Sequence, residues 1–192
     1  LEIIHTRIDI AMSNFFAQEY GIAKIWAEEG VSIASTLGIH FQRGRALNIL
    51  GCCKAANGEY REGLEIFKES GFYLELSKAA IYSWRVTLNQ ASILLQIRDD
   101  KEATALITQV SNILLSDFTK KIKSDNTSVP YQSLLLILMY LHELGEDVEI
   151  ILNLLEDIPI QNDFNRLCQT ANWKNCFQNK VKYCNGIVLV TG

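Results

Sequence analysis

Apolar residues recur along this chain at a spacing of about 3.6, as in Leu64 with Ile66-Phe67, or Ile93-Leu94-Leu95 with Ile97. That spacing places them on one face of a helix. The breaks between apolar stretches predict helices near 3–17, 20–37, 41–57, 60–72, 75–97, 100–118, 130–144 and 147–157. The polar run Lys123-Ser-Asp-Asn-Thr-Ser-Val-Pro130 reads as an exposed loop between the sixth and seventh. The longest apolar run, Leu134 to Leu141, is well short of the roughly 20 residues a bilayer requires. It predicts a helix buried on most sides, and no membrane partner is expected.

The small residues among the apolar ones are periodic. Ala11, Gly51 and Ala91 form one register, and Ala23, Gly63 and Ala103 a second. Ala27, Phe67 and Ile107 form a third, and Gly30, Ser70 and Val110 a fourth; the step is 40 residues throughout. A small side chain lets two helices approach closely. In the clearest unit Gly58 ends one helix, Tyr60 opens the next, Gly63 allows close approach and Phe67 fills the seam. A looser fourth unit contains Gly145, Asp147, Ile150 and Leu154. There Leu138 takes the place of a small residue, which predicts a pair packed less closely.

This pattern resembles the tetratricopeptide repeat, a helix–turn–helix unit, in a long form similar to the repeats of bacterial signalling and peptide-sensing regulators. The resemblance implies an all-α, right-handed superhelical array of antiparallel helix pairs. It covers an array over residues 1–158, with units near 4–37, 41–74, 75–118 and 130–158. Neighbouring pairs in such an array cover each other's apolar faces. Residues 159–192 would hold a capping helix from Gln161 to Trp173. After it, Asn185-Gly186 lies between β-branched residues, which predicts a hairpin or the first strand of a further domain.

In the family the first helix of each pair lines a concave groove. Carried onto this chain, that implies a peptide- or partner-binding wall that includes Asp9, Met12, Arg45, Asn48, Cys52, Arg85, Asn89, Ser92, Gln132 and Met139. Arg45 and Arg85 share a register, which forms a basic column. Arginine presents a planar fork to carboxylates, and asparagine can donate to and accept from a peptide backbone together. Asn48 and Asn89 stand in different registers, and arginine stands where the family's carboxylate clamp has lysine. That clamp is therefore not reproduced, which argues against a receptor for chaperone tails. The function this implies is a protein- or peptide-binding interaction module, the sensor or scaffold part of a larger regulatory protein. An intramolecular regulatory segment of a signalling ATPase or transcription regulator is the alternative. Self-association through uncovered terminal faces is a further expectation.

Composition narrows the field. A net charge of −4 and a pI near 5.4 argue against nucleic acid as a partner of this segment. Residues 1–160 carry −7 and residues 161–192 carry +3, which fits a boundary between modules. Five cysteines cannot all pair, and Cys168, Cys176 and Cys184 match no zinc spacing. Reduced thiols in a cytoplasmic protein are expected. The first residues show no basic segment followed by an apolar one and no initiator Met, so the expectation is a piece of something longer. No nucleophile–base set, P-loop or metal-ligand cluster appears, so neither catalysis nor a cofactor is expected. His142 beside Glu143 and Glu146 is too sparse for a metal site. Lys120, Lys121 and Lys123 read as a solvated helix end. Gly186 to Gly192 resembles the opening strand of a dinucleotide-binding fold but lacks the later glycines.

Overall fold

The computed structural model describes residues 2–122 and two short segments, 182–184 and 187–189. Six helices fill the first stretch: α1 Glu2–Phe16, α2 Tyr20–Thr36, α3 His40–Ala56, α4 Tyr60–Leu76, α5 Ala80–Gln96 and α6 Asp100–Ile122. They pack consecutively, each against the next, and α3 also meets α1 and α5. The short segments, β1 Lys182–Cys184 and β2 Ile187–Leu189, pair antiparallel, with Cys184 opposite Ile187. The fourth repeat unit, the expected capping helix and the Asn185-Gly186 turn lie outside the described residues.

Each junction between helices is three residues long, and α2 to α6 begin at twenty-residue intervals. One turn, used five times, produces this regularity. Its middle residue takes a left-handed conformation at Gln18, Gly38, Gly58, Lys78 and Arg98, with φ between 58° and 82°. The amide of that residue donates to a carbonyl three positions back, at 2.9–3.2 Å. The amide of the next residue donates to a carbonyl five positions back, at 2.8–3.0 Å. This pair of hydrogen bonds closes the helix end on itself and satisfies carbonyls the helix leaves open.

The expected break at residues 73–74 is not there. α4 continues to Leu76, and the turn is Ser77-Lys78-Ala79. Glycine signals the same turn at Gly38 and Gly58, whereas at 78 a lysine takes the strained conformation. Strain of this kind costs an L-residue about 1–2 kcal/mol. A Cβ at Gly58 would meet no heavy atom within 4 Å, so substitution there tests the backbone alone. Gly58→Ala is expected to destabilise the chain by about 1 kcal/mol, and Lys78→Gly to stabilise it by a fraction of that. Urea unfolding of both variants should show opposite signs.

The burial pattern separates the helices into two kinds. α2, α4 and the described part of α6 each bury one face at identical spacing. These positions are Ala23, Ala27, Gly30 and Ala34; Gly63, Phe67, Ser70 and Leu74; and Ala103, Ile107 and Val110. α3 is buried on nearly every side because four helices touch it. Its side chains are accordingly small: Gly44, Ala46, Gly51, Cys52, Cys53, Ala55 and Ala56 are all buried. Ala11, Gly51 and Ala91, and Ala23, Gly63 and Ala103, lie inside the packing, as the 40-residue register requires.

Close approach is tightest between α3 and α4. The Ser70 hydroxyl donates to the Gly44 carbonyl at 2.7 Å in the interior. A Cβ at Gly44 would come within 2.7 Å of Leu74, and one at Gly51 within 2.6 Å of the Phe67 ring. Across the same turn Lys54 pairs with Glu59 and, at 2.7 Å, with Glu62.

Candidate functional site

Among the odd-numbered helices, α3 touches both α1 and α5. The Phe41 ring of α3 packs edge-on against the Tyr82 ring of α5, with centroids 5.0 Å apart. Four residues further along each helix, near this contact, a small cleft opens, lined by Ile8, Arg45, Asn48, Ile49, Leu74, Tyr82, Arg85 and Val86. Its free volume is about 20 Å³, room for one or two polar atoms of a ligand. The structure therefore brings Arg45, Asn48 and Arg85 to one place, three of the polar side chains that the register placed on a shared wall.

The two arginines are held differently. The Arg45 guanidinium lies 5.9 Å from the Phe41 ring and donates from Nη1 to Gln42 Oε1 at 3.3 Å. Gln42, itself buried, turns its amide nitrogen to His5 Nε2 on α1. The Arg85 guanidinium lies 5.1 Å from the Trp84 ring and 5.4 Å from the Tyr82 ring. Its Nε is buried with no hydrogen-bond partner among the described residues. Burial pulls the Arg85 guanidinium below the usual arginine range; Tyr82 opposes this and the Arg45 charge adds to it.

Other expected wall residues lie elsewhere. Asn89 is fully buried and donates to Asn48 Oδ1 at 2.9 Å, with Cys52 Sγ at 3.5 Å from the same nitrogen. Cys52 is fully buried and Ser92 nearly so, within the helix packing. Asp9 is exposed on α1, and Met12 is half-buried against the core. Gln132 and Met139 lie outside the described residues. Cys52 and Cys53 are in no disulfide.

Tyr82 and Gln42 escaped the sequence reading. A signal for both was present: Gln42 precedes Arg45 by one helical turn, and Tyr82 precedes Arg85 by the same three residues. Among the described residues no group of His, Cys, Asp and Glu could hold a metal ion, and no helix is long and apolar enough to cross a membrane. Comparison with protein-family models, with curated proteins and with solved structures finds no match.

Proposed function

We propose that this chain is a protein- or peptide-binding interaction module, built as a right-handed tetratricopeptide-like array with a C-terminal hairpin, and that it serves as the sensor or scaffold part of a larger regulatory protein. The observation that supports this reading most is the gathering of Arg45, Asn48 and Arg85 at a cleft where α1, α3 and α5 come together. Three helices from successive units then form a wall; β2 packs against its α5 and α3 part, and an extended partner segment can run beside it with side chains entering the cleft. No step in this function needs a nucleophile or a cofactor. Ile3, Ile22 and Ile25 are exposed on α1 and α2, which is consistent with a further contact at that end of the array.

The test is a peptide array probed with the full chain, followed by backbone NMR mapping of the tightest binder. Shifts are expected on the cleft-facing positions of α1, α3 and α5. Absence of any binder, or shifts confined to the outward faces of α2 and α4, would dispose of the wall as an interaction surface.

A further inference from the structure

The arginines of α1, α3 and α5 divide into two groups. Arg7 on α1 lies 4.7 Å from the Trp26 ring and pairs through Nε with Glu29 at 2.9 Å. Arg43 on α3 lies 4.0 Å from the Tyr73 ring and pairs with Glu69 at 2.8 Å. Each of these spans a helix pair: an odd helix supplies the guanidinium, and the even helix supplies an aromatic face and a carboxylate. Arg45 and Arg85 also stand on aromatic faces, but those faces belong to their own helices. Among the described residues neither has a carboxylate partner. A guanidinium that leaves water without a counter-charge is costly, and two that share a cleft repel each other as well.

We propose that this cleft is a carboxylate site, in which an acidic group of a bound polypeptide lies between the guanidinium groups of Arg45 and Arg85. The inference rests on the interaction-module reading for the partner being a polypeptide, and adds the chemical group that the partner presents. The site has the parts such a group needs. Two planar forks supply charge-assisted donors. The Asn48 side chain lines the cleft beside them. Ile8, Ile49, Leu74 and Val86 form apolar walls suited to the methylene stem behind a carboxylate. Gln42, anchored by His5, is a positioning residue: it holds Arg45 toward the cleft without reaching the ligand.

The experiment follows the Nε–Hε signals of Arg45 and Arg85 by NMR in the full chain. The probes are N-acetylglutamate amide, a tetrapeptide with a free C-terminus, the same tetrapeptide amidated, and inorganic phosphate. Carboxylate probes are expected to shift both signals with a dissociation constant near 1 mM or below, weakening as salt screens the charges. A response to the side-chain probe alone assigns the partner group to Asp or Glu; a response to the free tetrapeptide alone assigns it to a chain end. Arg45→Gln and Arg85→Met should each weaken binding about tenfold or more. Since Arg85 gives no hydrogen bond to the described residues, Arg85→Met should fold; Arg45→Gln is a second probe should it not. No shift from any carboxylate at about 20 mM, or tighter binding of phosphate than of every carboxylate, overturns the proposal. An array peptide bound equally by wild type and both variants would also overturn it while leaving the interaction module standing. Carboxylate binding without any peptide ligand would uphold the site and remove the interaction module.

Discussion

Phe67→Ala is expected to cost about 3–5 kcal/mol, the range for emptying a fully buried aromatic position. Phe67 is one of the largest side chains with no exposed surface. Its ring occupies the space that the missing side chain of Gly51 leaves on α3. Gly51→Ala alone is expected to cost about 1–3 kcal/mol, because the new methyl would stand within 2.7 Å of two ring atoms of a side chain that has nowhere to move. This outweighs the gain of up to about 1 kcal/mol that alanine brings over glycine inside a helix. Once Phe67 is alanine, the obstacle is gone. Gly51→Ala should then change sign and stabilise, because it fills part of the cavity and keeps the helix-propensity gain. The double variant would carry the alanine pair that the first unit has at Ala11 and Ala27. Urea unfolding of the four proteins provides the cycle. Equal penalties for Gly51→Ala in both backgrounds would mean that close approach of α3 to α4 is not what glycine serves there.

The same pair shows what the sequence could and could not reveal. The recurrence of small residues every 40 positions was legible because helix packing constrains those sites directly, and Ala11, Gly51, Ala91, Ala23, Gly63 and Ala103 are all buried. The starts of α2, α3, α4 and α6 were legible to within a residue, whereas α5, expected from 75, begins at 80. The turn before it has no glycine: Gly38 and Gly58 mark two of the five turns, while Gln18, Lys78 and Arg98 adopt the same left-handed geometry without that signal. Gly71 marks no turn: it lies inside α4, and a Cβ there would meet nothing within 4 Å. Glycine thus marks a turn in one place and nothing in another, and only the hydrogen bonds tell them apart.

The cleft was half legible for a related reason. Arg45 and Arg85 are one repeat apart in the same register, so any regular stacking brings them together. Asn48 and Asn89 are 41 apart, one residue out of step, and one residue is about 100° around a helix. That offset turns Asn89 away from the column and into the contact between α5 and α3. Burial of Ser92 and Cys52 follows from the same contact, which no one-dimensional pattern encodes. The partner of Arg45, Gln42, lies one turn before it on α3, and His5 beyond it on α1 stands 40 residues before Arg45, in the register of the two arginines.

Asn89→Ala is accordingly expected to destabilise the protein by about 2–3 kcal/mol, although no charge and little volume are lost. Asn89 is fully buried, and its amide supplies a bond between α5 and α3 that water cannot replace. Truncation leaves Asn48 without this donor and opens a gap beside Cys52. A hydrogen bond removed from one side costs more than one removed from both. Asn48→Leu combined with Asn89→Leu should therefore cost clearly less than the sum of the single changes, with a coupling of about 1–2 kcal/mol. The effect reaches the cleft as well. The Asn48–Asn89 bond fixes how α5 sits along α3, and that placement sets the separation of the two guanidinium groups. Under the carboxylate proposal the paired leucine variant should retain much of its stability and still bind a carboxylate more weakly. Urea unfolding and the arginine NMR titration, run on the same samples, separate the two consequences. Additive stability losses would show that the two asparagines act independently, and unchanged carboxylate affinity would show that their bond does not set the arginine spacing.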